Sequence, residues 1–181
     1  MAITLNGSGG VTGLTALPDS AMANGSILQI VQAVKTDQFT STAYAFTDVT
    51  GMSVSITPSS SSNKVLIIFD IQVGGTANNY AAFRLLRDST HIGVPTGSAI
   101  DTNWRLGTLG CLSHENSYQL VKTGHSFLDS PSTTSAITYK LQTSAYYNRT
   151  ISINVPTSSS TAANSYTATG VSTITAMEIA A

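Results

Sequence analysis

Charge is what this chain has least of. Charged residues make up 9% of its 181 residues, against roughly 25% in ordinary soluble proteins. Only Glu115 and Glu178 are glutamates, so strong helix formers are largely missing. The eight Lys and Arg residues run from Lys35 to Arg149 without a cluster, and the formal net charge is -1. No basic field is available for nucleic acid, and none is expected as a partner. The single cysteine, Cys111, excludes an internal disulfide. The longest apolar run, Val65-Leu66-Ile67-Ile68-Phe69, is far too short to span a bilayer, and the N-terminus has no basic region followed by an apolar core. Neither membrane insertion nor a secretion signal is expected.

What fills the chain instead is serine and threonine, 51 residues in all, and threonine together with the β-branched aliphatics favours pleated structure. The length suits one domain of ordinary size with an appendage. Residues 1–26 are that appendage: they carry one charge, Asp19, and no aromatic ring. Ordering a backbone costs roughly 1–2 kcal/mol per residue, which a few scattered aliphatics cannot offset without a neighbouring surface. The segment reads as an extended docking arm whose contacts are Ile3, Leu5, Val11, Leu14 and Leu17. Fully extended it reaches roughly 85 Å.

Residues 27–181 read as the folded body. SILQIVQAVKT (26–36) is a buried-strand pattern, and the stretch 43–58 splits at Thr50-Gly51 into two pieces, the second alternating Met52, Val54 and Ile56 with serines. KVLIIFDIQV (64–73) suits a central strand covered on both faces for half its length. Residues 79–94 give two strands joined at Asp88-Ser89, and Pro95 to Tyr118 is a long Gly-rich loop region. Another strand lies within 117–129, a long hairpin turns near Asn148 within 136–156, a polar linker covers 157–169, and a closing strand follows at 171–180. Gly74-Gly75 reads as a turn. The fold expected is all-β, a jelly-roll-like β-sandwich preceded by an extended N-terminal arm.

Catalytic patterns are absent. His91, His114, His125, Asp70, Asp101, Asp129 and Cys111 form no recognised motif. His125 and Asp129 lie on one strand face about 13 Å apart, so Asp129 reads as a turn residue before Ser130-Pro131. His114 beside Glu115 lacks the second spaced group of a metal site. Arg84 and Arg87 read as solvated or paired with Asp88. No enzyme activity, cofactor or metal is expected. Binding has better support: Trp104 and Arg105 sit in the Gly-rich region, Tyr118 follows, and Tyr146-Tyr147 occupies the tip of the expected hairpin. These five are the candidate ligand contacts, since aromatic faces on loops stack on sugar rings or anchor protein contacts. The competing reading of Trp104 is a plug for the sandwich core or a subunit seam.

The strings GVTGLTALPDSAM, SILQIVQAVKTD, VSITPSSSSNKVLIIFDIQV, AAFRLLRDST and SFLDSPSTTSAITYKLQ give the chain a resemblance to small virion structural proteins of tailed bacteriophages, fibre-like proteins of marine and cyanobacterial phages in particular. The resemblance implies a homotrimer with a jelly-roll-like head, attached through its arm to a capsid, neck or tail component and located in the virion after assembly in the host cytoplasm. With no extended shaft in the sequence, a short fibre or head-decoration protein is expected, displayed outward for host attachment. A carbohydrate-binding module acting without a particle, meeting a host surface glycan, is the alternative. A small polysaccharide hydrolase, the third reading, requires paired carboxylates among Asp70, Asp101, Glu115 and Asp129.

Overall fold

The computed structural model describes residues 22–96, 106–147, 149–158 and 167–181, and among them every regular element is a β-strand. In chain order these are β1 (Ile27–Lys35), β2 (Phe39–Ser41), β3 (Thr47–Ile56), β4 (Lys64–Gly75), β5 (Asn79–Arg87), β6 (Thr90–Ile92), β7 (Leu109–His114), β8 (Val121–Asp129), β9 (Ile137–Ser144), β10 (Ile151–Ile153) and β11 (Ser172–Ile179). The docking-arm residues Ile3, Leu5, Val11, Leu14 and Leu17 lie outside the described residues, as do Trp104 and Arg105.

The first sheet runs β1-β11-β4-β10-β2 with β8 on the free side of β4, and the second runs β3-β9-β5-β6 with β7 also on β5. Three strand positions are broken in two. β10 pairs with Val73–Gly75 of β4 and β11 with Lys64–Asp70, on the same side of that strand. β1 and β2 share the next position outward. β6 and β7 divide the edge of β5. The molecule is therefore two four-position antiparallel sheets with most connections crossing between layers and β5, β6 and β7 staying together in the second, a jelly-roll sandwich.

Period-2 alternation builds the core. Val65, Ile67, Phe69, Ile71 and Val73 of β4 meet Met52, Val54, Phe83, Leu85, Tyr139 and Leu141 from the second sheet, with Ile151, Ile153, Ile174 and Ala176 completing the layer. Full burial of one such side chain contributes about 1.5–3 kcal/mol. The outward faces differ in kind. On the second sheet Ser53 lies opposite Lys140 and Asp48 opposite Gln142, whereas on the first Ile30, Met177, Leu66 and Leu128 stand side by side across four strands.

Several expectations are corrected. The anticipated hairpin does not form: β9 belongs to the second sheet and β10 to the first, so the residues between them cross the sandwich. Alternation marks both strands equally well, and pairing depends on tertiary register. Gly74-Gly75 is strand rather than turn, opposite Ser152 and Ile151. A Cβ on Gly74 would stand 2.7 Å from Ser152 Oγ and 3.2 Å from the Pro156 backbone, so only glycine fits that approach. Residues 47–56 form one strand, not two. Its register slips between Asp48 and Ser53, where Gly51 takes a φ of 83°, an irregularity that absorbs the break seen in the pattern. Part of the expected long loop is the strand β7. The outer face of β4 is left uncovered within the chain, with Ile68 exposed.

Asn154 manages one of the strand breaks. It is fully buried in the left-handed region at φ 69°. Its Nδ2 donates to Lys35 O at 2.7 Å and Asp37 O at 3.0 Å, while its Oδ1 accepts from Ser172 Oγ at 2.6 Å. Gly170 N–H donates to Asn154 O at 2.8 Å, closing the segment between β10 and β11 at its base.

The long axis of the sandwich has two distinct ends. β4 spans roughly 36 Å at about 3.3 Å per residue. At its start lie β1's first residues, opposite Ile179, and the incoming chain, where Gly25 N–H donates to Ala180 O at 2.8 Å. At its finish lie the β2–β3, β4–β5, β7–β8 and β9–β10 connections.

Candidate binding surface

Four tyrosines meet at the loop end: Tyr44 from the β2–β3 connection, Tyr146 and Tyr147 from the β9–β10 connection, and Tyr80 from the start of β5. Tyr146 and Tyr147 are edge to face with centroids 4.6 Å apart. Tyr44 lies 5.8 Å from Tyr147, and Tyr80 meets Tyr146 edge-on at 5.4 Å. The order Tyr44–Tyr147–Tyr146–Tyr80 makes a continuous band of rings, each partly open to solvent and Tyr147 the most open at 71%. Edge-to-face pairs of this kind contribute about 0.5–1.5 kcal/mol beyond area burial, so the rings hold one another in place.

The backbone beneath them is fixed by neutral hydrogen bonds. Asn79, fully buried, accepts from Tyr146 N–H at 3.2 Å and donates through Nδ2 to Thr150 O at 3.0 Å. Thr76 N–H donates to the same carbonyl at 2.9 Å, and Thr150 N–H donates to Thr76 Oγ1 at 3.2 Å. Ala145 N–H donates to Ala43 O at 2.8 Å, and Ser144 Oγ donates to Tyr44 O, tying the β2–β3 connection to the end of β9. Tyr147 sits at φ 34°, where a bulky residue is an outlier. Such strain is tolerated where the surroundings over-determine it, commonly at ligand contacts.

Charge beside the band is arranged in pairs. Arg84 lies over the Phe46 ring with its guanidinium carbon 4.4 Å from the centroid, and its Nε donates to Gln142 Oε1 at 2.7 Å. Lys140 Nζ donates to Asp48 Oδ2 at 2.8 Å and Gln142 Nε2 to Asp48 Oδ1 at 2.5 Å. The Lys140 bond, then the Gln142 bond, holds the Asp48 carboxyl below the usual carboxylate range. Arg149 is exposed on the same turn as the tyrosine pair, its N–H bound to Tyr146 O at 2.9 Å.

The structure brings Tyr146 and Tyr147 together and adds Tyr44 and Tyr80, which the sequence reading missed. Tyr44 lies in the β2–β3 connection and Tyr80 is the second residue of β5, and only the jelly-roll order puts them side by side. Tyr118 is exposed at the same end, on the β7–β8 connection, where its N–H donates to Asn116 Oδ1 at 3.0 Å. It makes no ring contact with the other four among the described residues.

The opposite end holds the buried carboxylates. Asp129 is the buried last residue of β8, not a turn residue. Arg87 Nη1 donates to both its oxygens at 3.0 and 2.8 Å, and Tyr139 OH donates to Oδ2 at 2.7 Å. Arg87 therefore pairs with Asp129 rather than Asp88, whose carboxylate accepts from Thr138 N–H at 2.9 Å. Burial, then the Asp129 contact, pushes the Tyr139 phenol up, so it stays a donor. Glu178, 1% exposed, accepts from Gln29 Nε2 at 2.5 Å, Asn63 Nδ2 at 2.7 Å, and Ser59 N–H and Oγ at 2.7 and 2.8 Å. Burial alone raises its carboxyl, but those donors outweigh burial and hold it below the ordinary value. Beside it Met22, Leu28, Ser60 and Asn63 line an open cleft of about 450 Å³.

No paired-carboxylate geometry emerges from Asp70 and Asp129. Asp129 faces Val65, five positions from Asp70 along β4, roughly 16 Å away, and Asp70 pairs with Lys122 at 2.8 Å on the outer face. His125 lies 6.3 Å from the Phe69 ring, so the His125–Asp129 relation stays a matter of shared strand. Among the described residues no three metal-ligating side chains converge.

No protein-family model and no curated protein matches the sequence. Among solved structures, the chain superposes on the D431N mutant VP2 protein of infectious bursal disease virus in derived T=1 particles, with a TM-score of 0.45, 11% identity and coverage of 100% of this chain and 41% of that one. The Gx strain of the same virus gives 0.42 at 12% identity, covering 99% and 46%. A VP2 subviral particle gives 0.36 at 13%, covering 84% and 38%. The chain thus spans less than half the length of these proteins.

Proposed function

We propose that this protein is a structural component of a virus particle, held by its N-terminal arm and exposing the tyrosine end of its β head for attachment to a host surface. The observation that carries the reading is polarity along the sandwich: the chain enters the fold beside Ala180, and the tyrosine band lies at the far end of β4. A head built this way can be gripped at one end and touched at the other. The resemblance of the sequence strings to tailed-phage structural proteins supports the finer assignment, a short fibre or head-decoration protein. Its function is adhesive rather than catalytic.

The test has two parts. Deleting residues 2–21 leaves a folded head that no longer co-purifies with particles; co-purification at the original level would sink the docking role. An antibody raised against the Tyr147 turn binds intact particles, and failure to bind would put that end inward. The tyrosine band also favours a second reading, a carbohydrate-binding module free of any particle. Under it, a glycan array gives the same signal with the 2–21 deletion, and no particle contains the chain.

A further inference from the structure

We infer that the outer face of the first sheet packs against a second copy of this chain. The inference stands apart from the virion reading, because it concerns the purified protein alone.

Residues Ile30 of β1, Met177 of β11, Leu66 of β4 and Leu128 of β8 are paired in one register, so they form a row across all four strand positions. Ile30 is 58% and Leu128 49% exposed. The row is backed by Ile68, one row along on β4, and by Val34 on β1, both exposed. A solvated face of an antiparallel sheet ordinarily carries polar residues; here they are interrupted by an apolar row that runs through all four strand positions. Contiguous apolar surface on a soluble chain marks an interaction site.

Charge and size identify the occupant. Asp70 and Lys122 on the face neutralise each other at 2.8 Å, and Lys64 stands at its margin, opposite Ile179, so the middle of the face carries no net charge to select a charged partner. In the row beside the apolar one, Gln32 Nε2 donates to Thr175 Oγ1 at 2.8 Å. A face with so little charge at its centre matches a chain whose own net charge is -1. Four strands about 4.8 Å apart and eight residues long present roughly 500 Å². Two copies then bury about 1,000 Å² in total, the size at which specific association begins, and homo-oligomers are the usual way such faces are covered.

Sedimentation equilibrium of the full chain at micromolar concentration gives an oligomer. The Ile30→Lys/Leu128→Lys double variant, changed only at exposed positions, sediments as a folded monomer, with association weakened roughly 100-fold or more. Ser55→Lys, on the polar face, leaves the oligomer intact. A monomeric parent chain overturns the inference, as does a double variant that associates like the parent. Should the double variant misfold, hydrogen exchange on the parent decides: protection of β1 and β8 amides rises with protein concentration, and concentration-independent protection overturns the inference. A monomer that associates only after residues 2–21 are deleted assigns the face to the chain's own arm instead.

Discussion

The two ends of the sandwich are fixed by different chemistry. At the end where the chain enters, two buried carboxylates collect donors: Asp129 from Arg87 and Tyr139, Glu178 from Gln29, Ser59 and Asn63. At the tyrosine end the hub is a neutral amide, Asn79, and what surrounds it is backbone and hydroxyl. A buried charge is expensive to leave unpaired, so the first end resists partial opening. A neutral network costs less to disturb, and it keeps four rings at the surface, with Arg149 the exposed charge on their turn. The difference teaches that rigidity and display are separated along one axis.

That contrast can be broken most severely at Asp129. Asp129→Ala leaves the Arg87 guanidinium and the Tyr139 hydroxyl without their acceptor, and we expect a loss of about 3–5 kcal/mol in urea unfolding. Glu178→Ala strands the Asn63, Gln29 and Ser59 donors and is expected to cost about 2–3 kcal/mol. Because the folded Glu178 carboxyl lies below its ordinary value of 4.5, its stabilisation is complete above that pH and disappears as pH falls through the folded value. Melting temperature measured from pH 6 to pH 3 therefore declines more steeply in the parent than in Glu178→Gln; parallel curves would remove the carboxylate from the account.

At the tyrosine end smaller effects are expected. Asn79→Ala costs about 1–2 kcal/mol and speeds hydrogen exchange at the Tyr146 amide, while amides near Glu178 keep their protection. Tyr147→Gly relieves the positive φ but gives up two ring contacts, so stability moves by less than about 1 kcal/mol, whereas any glycan-array signal drops to background. A Tyr147→Gly variant that binds like the parent would remove the band from the proposed function. An unfolding free energy as sensitive to Asn79 as to Asp129 would erase the distinction between the ends.

Much of the fold was legible because period-2 patterning reports which residues face inward. The alternation of 64–73 and 137–141 and the apolar run at 27–35 located β4, β9 and β1. Pairing was not legible: β9 and β10 look like a hairpin locally, and only the crossing between sheets reveals otherwise. The binding surface was half legible for the same reason. Tyr146-Tyr147 announces itself as an adjacent pair, but Tyr44 and Tyr80 join it from the β2–β3 connection and the start of β5, far away in sequence. Asp129 before Ser130-Pro131 carries a turn signature, and the inward position that makes it an acceptor for Arg87 follows from its register with Val65. Glu178 gave no sign beyond rarity, since its donors arrive from β1 and the β3–β4 connection.

The Asn154 node has a consequence for variation. The chain leaves the sheet there and returns sixteen residues later through the Gly170 N–H bond to Asn154 O, with Ser172 and the β1–β2 break held by the same side chain. Because the β1–β2 break and the start of β11 are held by this one side chain, Asn154→Ala would loosen both together, and variation at this position is felt in two strands at once.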